Sequence, residues 1–498
     1  MGCVVMAASA SLNADGPLLV AASVGALLLP GLALYYGGLV RRKHQLGTMM
    51  QVWMAGPIAG LIWLWVGFPL TCPQGTTEGA RFFHLFSFYD VGTGSTWSTS
   101  ALLLFQGVGV VFAAGLLSGA AAERLRFQPA AWHLALWSLL IHLPILGGLT
   151  SAAPLDVGGC LSIHTCVGWS ALAVALALGR RRPAEGPLLN PSSLALALTG
   201  AGLMAVGWLS HCYGSLLLSG RPMGGLVSAL SAGSGGALTW MGLETWRCGR
   251  ATPLGLASGG LAGFVGISAT LGLAAPAWGL AIGATAGLAV YLAMWAKARL
   301  GIDDTLDVFA LHGMGGLVGV LWSLRWSAEP GRLCLVLTMV ASGSCAASWL
   351  LTRTFHLLWP MRLSAEEEAE GMDRSQHGQV AFAEGPDLPV GSEGALAQEP
   401  RPATYPPAQR RYALVVEGVS AAEISRAWTE LCQVGSEPLP DFLRVYEHLT
   451  TMSAGCFRFR GGDPEETRQR LERLLRDRLR AAHLRVRREA LPTARRAA

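Results

Sequence analysis

The sequence predicts an all-α membrane protein of eleven transmembrane helices, followed by a C-terminal cytoplasmic α+β domain of ferredoxin-like order. Three observations predict it. Of 498 residues, 52% are hydrophobic and only 14% are charged, against about 25% charged in soluble domains. Apolar runs long enough to cross a bilayer recur through residue 360, separated by short polar breaks. After Trp359 the composition turns to Arg, Glu and Pro. The expected organisation is a membrane domain over 1–360, a cytoplasmic tail and linker over 361–409, and a separate domain over 410–498.

With about 20 residues needed per crossing, spans are predicted at 17–40, 44–70, 98–120, 128–150, 159–179, 190–211, 222–246, 253–273, 276–297, 306–326 and 332–358. Basic residues at span ends fall in alternate loops: Arg41 to Lys43, Arg124 and Arg126, Arg180 to Arg182, Arg247 and Arg250, Lys297 and Arg299. The opposite loops carry few, namely Arg81, Arg221, Arg325 and Arg332. By the positive-inside rule the N-terminus is outside and the C-terminal region inside, as expected of a multi-pass protein of a bacterial inner (plasma) membrane. The first sixteen residues lack the basic stretch of a signal peptide, although Ala8, Ser9 and Ala10 leave a small-residue cleavage pattern; the chain is expected to be uncleaved. The formal charge of +5 belongs to cytoplasmic loops and a basic tail, so it is no sign of nucleic-acid binding.

Ten cysteines are scattered without C-x-x-C spacing or a His/Cys cluster. They read as packing residues, and no metal or cofactor is expected. Neither a nucleophile with its base nor a phosphate loop is evident, so the chain is not expected to be an enzyme. The 63 glycines are concentrated in the membrane region, with Gly255, Gly259 and Gly263 on one helix face. Small residues at that spacing let backbones approach closely, which serves a narrow pore and simple helix packing alike. Pro57 and Pro144 remove backbone donors and are expected to kink the second and fourth spans.

Two histidines lie inside predicted spans in matched contexts, His164 eight residues after Asp156 and His312 within Asp303-Asp304-Thr-Leu-Asp307-Val-Phe-Ala-Leu-His312-Gly313-Met-Gly315-Gly316. An ionisable ring at bilayer depth is a functional-site hypothesis by default. The plain alternative for either one alone is a histidine satisfied by a neighbouring helix.

These segments, together with Gly31 to Arg41, Thr48 to Gln51, Phe105-Gln106, Ala122 to Phe127, Gly207-Trp208 with Gly214-Ser215, and Ser258 to Gly266, occur in an order that resembles the ammonium transporter family of methylammonium permeases and Rhesus proteins. The resemblance covers residues 17 to about 380. It implies a homotrimer with one path for ammonium or ammonia per subunit, lined in a narrow apolar stretch by His164 and His312. It also implies an outer vestibule containing Phe105, Ser215, Asp156 and Trp208. For Asp156 two readings stand: easing the arrival of a cation, or capping a helix and holding glycine-rich backbone. Asp303, Asp304 and Asp307 read as helix-start acids.

Where the family carries a vestibule tryptophan shortly after Pro144, this chain has Ile145-Leu-Gly-Gly-Leu-Thr150. Ungapped alignment puts Gly109 and His211 where the family has two stacked gate phenylalanines. His211 is then either a third titratable ring above the pair or a helix-end histidine facing outer water. These departures leave two functions: ammonium transport with deprotonation at the pore, and an ammonium sensor of the same fold signalling through its cytoplasmic C-terminal domain.

Past the last span, Gly371, Asp373, His377 and Gly378 resemble the family's regulatory tail, which implies contact with a neighbouring subunit and with a PII-type signalling protein. Residues 383–408 read as a flexible linker. Beyond them, a strand at Tyr412–Val416, a helix opened by Ser420-x-x-Glu423, strand-like runs at Phe442–Thr450 and Ser453–Arg460, a basic helix opened by Asp463-Pro464 and a strand at Leu484–Arg487 give the order βαββαβ. A regulatory or assembly role is expected, its many arginines forming a solvated face or meeting an anionic partner.

Overall fold

A computed structural model describes residues 15–71, 97–151, 156–182 and 191–381, and in the C-terminal region 411–417, 423, 449–453, 456–460, 464–479 and 485–489. The chain divides into two units, the first ending at Glu384 and the second containing everything after it. The linker predicted at 383–408 lies outside the described residues, as does most of the helix opened by Ser420.

Among the described residues of the first unit, nine helices are long and apolar enough to cross a membrane: Gly16–Leu39, Arg42–Thr71, Ser100–Ala121, Phe127–Thr150, Cys160–Leu178, Leu194–Ser219, Pro253–Thr270, Pro276–Leu300 and Pro330–Leu358. A further helix, Gly224–Cys248, is as long but is diluted by glycine and serine. Phe309–Met314 continues into Gly315–Ser323 to form another helical run. The ends follow ordinary capping chemistry. Ser193 and Thr252 each accept a backbone N–H with the side-chain hydroxyl, prolines open the helices at 253, 276 and 330, and left-handed glycines at 220, 249 and 301 close theirs.

One boundary differs from the sequence expectation in a way that matters. The sixth span, predicted to stop at residue 211, runs on to Ser219 and closes at Gly220, which takes the left-handed conformation at φ 63°. His211 is therefore inside a helix, and its reading as a helix-end residue is corrected.

The two prolines act through local rewinding. A break at Met54 separates Gln45–Trp53 from Ala55–Ile62, since Pro57 has no N–H for the carbonyl four residues back. A π-helical turn, Ser138–His142, immediately precedes Leu143-Pro144. Two more π-helical turns, Cys160–Thr165 and Phe309–Met314, carry His164 and His312.

Glycine sets the tight packing. On the predicted stripe, a Cβ at Gly263 would stand 2.0 Å from the Ala232 carbonyl oxygen and one at Gly259 2.6 Å from that of Gly236. Helices Gly224–Cys248 and Pro253–Ile267 thus touch backbone to backbone.

At the basic-loop end, ion pairs join four loops. Glu123 accepts from Arg41 and Arg181, and Asp303 pairs with Arg181 and Arg124. Glu123 holds a left-handed backbone at φ 67°, a conformation unfavourable for a side-chain-bearing residue and fixed here by its two arginines.

The second unit contains a four-stranded antiparallel sheet of β1 (Arg411–Glu417), β2 (Leu449–Ser453), β3 (Cys456–Arg460) and β4 (Arg485–Glu489), in the order β2-β3-β1-β4. Of the runs expected at 442–450 and 453–460, residues 442–448 lie outside the described residues, and the second is a strand over Cys456–Arg460. Val416, Phe457 and Val486 are buried. Helix Pro464–Leu479 buries Thr467, Leu471 and Leu475 at a spacing of four. Arg468 on this helix is paired with Glu465 and Glu472.

Candidate functional site

The two π-helical turns are built alike. Asp156 accepts the backbone N–H groups of Leu161 and Ser162 at 2.7 and 2.8 Å, and Asp304 accepts that of Phe309 at 2.8 Å. Each carboxylate lies eight residues before its histidine and fixes the start of the turn that carries it. Both oxygens of Asp156 accept backbone N–H groups, the geometry of a helix cap. Asp303 and Asp307 are likewise taken up, by Arg181 with Arg124 and by Lys297.

Glycines then bring the two turns together. A Cβ at Gly168, one turn beyond His164, would stand 2.1 Å from the Gly313 nitrogen, and a Cβ at Gly316 would stand 3.4 Å from that of His164. No side chain fits between these backbones, so the imidazoles meet. His164 Nδ1 and His312 Nδ1 are 3.1 Å apart, the ring centroids are 5.2 Å apart and the planes differ by 21°. The rings are only 2% and 3% exposed. The bond requires one nitrogen to donate and the other to accept.

A wall of aromatic rings flanks the pair. Trp208 stacks on His164 at 4.9 Å and 15°, with His312 at 6.4 Å. Phe264 also stacks on Trp208 at 6.1 Å, and Phe112 makes a T-shaped contact with it at 5.8 Å. Trp208 was expected in the vestibule and is found beside the histidines instead. It precedes Ser215 by seven residues on one helix, about 10 Å along its axis. Phe264 and Phe112 were not singled out from the sequence, where a phenylalanine in an apolar span carries no signal.

Phe105 and Ser215, both buried, come together near the other end of this line of rings. A Cβ at Gly214, next to Ser215, would fall 2.2 Å from the Phe105 ring. Phe105 also stacks face to face on His211 at 4.9 Å and 15°, and His211 closes over Gly109. The two altered gate positions are therefore neighbours. On the opposite, basic-loop side, a cavity of about 260 Å³ reaches from Arg41, Glu123 and Asp307 to Leu311, adjacent to His312.

The tail residues dock on the loops of their own chain. Asp373 accepts the Gly47 N–H at 2.8 Å, His44 accepts that of Met372 at 3.3 Å, and His377 meets the Phe127 ring edge-on at 5.0 Å. Glu367 pairs with Arg126 and Glu368 with Arg362. Gly371, at φ 104°, passes so close to Lys43 that a Cβ would stand 2.4 Å from its carbonyl oxygen. Gly378 closes the short helix Met372–His377 in the left-handed conformation. Among the described residues no group of three or more His, Cys, Asp or Glu forms a metal site.

The Ammonium Transporter Family matches residues 17–382. The chain is 32% identical over 405 residues to the ammonium transporter MEP2 of Saccharomyces cerevisiae, covering 72% of this chain and 81% of that protein. It is 29% identical over 385 residues to an ammonium transporter of Bacillus subtilis, covering 72% and 95%. Among solved structures, Candida albicans Mep2 superposes with a TM-score of 0.63 at 27% identity over 73% of this chain and 88% of its own. A protein described as a sensor Amt protein superposes at 0.66 with 22% identity, over 73% and 98%, a likeness of fold.

Proposed function

Since this multi-pass membrane chain belongs to the Ammonium Transporter Family, we propose that it carries ammonium nitrogen across a membrane and that His164 and His312 take the proton from ammonium on the way. The observation that supports this reading is the buried bond of 3.1 Å between the two Nδ1 atoms, in a stretch walled by Trp208, Phe264 and Phe112. An ion without hydration in such surroundings costs up to tens of kcal/mol. Ammonia, being neutral, avoids that cost. Removing the proton costs about 1.4 kcal/mol for each pKa unit between donor and acceptor, so deprotonation is far cheaper than carrying the charge. Ammonium gives its proton to an imidazole, leaving ammonia and an imidazolium; the hydrogen-bonded partner then offers the proton its next position.

Phe105, with Ser215 and His211, forms the outer reception site in this reading. The cavity lined by Asp307 and Leu311 is the inner exit. We infer eleven spans, the helices Gly224–Cys248 and 309–326 joining the nine, with the N-terminus outside and the C-terminus inside a bacterial inner membrane. We further infer a homotrimer of such paths, a tail over 361–409 that offers a docking point to a PII-type protein, and a regulatory domain over 410–498. The strand order β2-β3-β1-β4 supports a ferredoxin-like fold for that domain.

The test is charge movement on ammonium pulses across proteoliposomes, comparing the intact chain with the double variant His164→Ala/His312→Ala. Loss of current in the variant is expected. An undiminished current in the double variant would overturn the role of the pair; retained ammonium binding without current or ammonia-driven pH change in the intact chain would overturn transport.

A further inference from the structure

On helix Leu194–Ser219, Trp208, His211 and Ser215 follow one another at spacings of three and four, which aligns them on one face. The inner end of that face is against His164. At its outer end the His211 ring lies flat on Phe105, 4.9 Å between centroids. Gly109 makes the room, since a Cβ there would stand 3.4 Å from His211 Cε1 and 3.3 Å from Ile163 Cδ1. His211 is partly exposed, yet its Nδ1 is buried and finds no hydrogen-bond partner among the described residues. From neighbouring elements it is met by the Phe105 ring and, at its Cε1, by the open space above Gly109. The titratable group in electrostatic reach is His164.

We infer that His211 is a specificity-determining residue, an imidazole acceptor that receives an N–H of incoming ammonium beside the Phe105 ring and so distinguishes a hydrogen-bond-donating cation from an alkali ion of similar size. The inference rests on the transport reading above and adds a residue to its outer site. An aromatic face attracts ammonium and potassium alike, because the attraction depends on charge and size. The lone pair of a neutral imidazole separates them. Ammonium directs an N–H at it and gains a charge-assisted hydrogen bond, whereas potassium sites are rings of oxygen ligands, which this face does not provide. His211 thereby supplies recognition at a position where a phenylalanine would supply only a stacked ring.

The experiment measures ammonium-driven current in proteoliposomes against increasing caesium or potassium, for the intact chain, His211→Phe and His211→Gln. Phenylalanine keeps the stack on Phe105 without a lone pair; glutamine keeps an acceptor. The intact chain and His211→Gln are expected to ignore a large excess of alkali ion, and His211→Phe to be inhibited at roughly tenfold lower concentration, the loss of one charge-assisted hydrogen bond. Equal discrimination by His211→Phe and the intact chain overturns the inference. If His211→Phe does not assemble, the intact chain alone decides: inhibition by caesium or by tetramethylammonium, which has no N–H, as strong as by methylammonium also overturns it. Absence of any ammonium current in the intact chain would instead sink the transport reading.

Discussion

Replacing Gly168 by alanine is expected to pull the two histidines apart. The added Cβ would stand 2.1 Å from the Gly313 nitrogen and 2.3 Å from its Cα, both backbone atoms that cannot rotate away. Reaching ordinary contact at 3.4 Å requires a shift of about 1.3 Å between the two turns, taking 3.4 less 2.1. Carried to the adjacent His312, that shift opens the Nδ1–Nδ1 separation from 3.1 Å to about 4.4 Å, beyond hydrogen-bond range. Overpacking a core in this way costs about 1–3 kcal/mol, which a large helical bundle survives. A misplacement of this size at reacting groups costs about a hundredfold in rate. The assay is ammonium-pulse current per unit of folded protein, with thermal unfolding in detergent as the folding check. Gly242→Ala is the control, since a Cβ there meets nothing within 4 Å. A folded Gly168→Ala protein with wild-type current would refute the claim that this backbone contact sets the pair.

Three further outcomes are expected. Glu123→Gln removes the carboxylate shared by Arg41 and Arg181 in a buried setting; stability should fall by about 3–5 kcal/mol, read as a lowered unfolding midpoint in detergent, and an unchanged midpoint would contradict the network. Burial of Asp303 works to raise its pKa, but the hydrogen bond from Arg181 and the charges of Arg124 and Arg181 outweigh it and hold the carboxyl at about 2, below its usual 3.8. A depressed acid stabilises the fold above its unfolded value and loses that contribution as pH falls through the folded one. Stability should therefore drop from about pH 4 towards 2, and Asp303→Asn should flatten that limb; parallel acid curves would be the contrary result. Phe457→Ala empties the buried centre of the C-terminal sheet and should destabilise the second unit by about 3–5 kcal/mol, measured by its own unfolding transition, while ammonium current persists.

The spans were legible because each needs a long apolar run and the loops alternate in basic charge. The paired histidines were legible because each lies inside an apolar span in an acidic, glycine-rich context. The π-helical turns were not, since one extra residue in a helical turn leaves hydrophobic composition unchanged. Nor was the meeting of Gly168 with Gly313, whose cause is a close approach between segments distant in the chain. Counting a bilayer thickness ends the sixth helix at residue 211 and makes His211 a helix-end residue, whereas the helix stops at Gly220; the place of Trp208 beside His164 depends on packing between helices, which no count along the chain supplies. Phe105 and Ser215 were found from motif residues, and their closeness depends on Gly214, which belonged to the same motif.

A bond between two like nitrogens has room for one hydrogen, so the resting pair exists in two mirror arrangements, with the proton belonging to His164 or to His312. Passing a proton in at one ring and out at the other converts the first arrangement into the second. The pair then holds a record of the last passage, and a second proton cannot travel the same way until that record is erased. Erasure needs both rings to exchange hydrogens in reverse, without substrate. On the proposed proton route, turnover is expected to contain a step whose duration no ammonium concentration shortens and which lengthens in heavy water; a current that saturates identically in light and heavy water would overturn it.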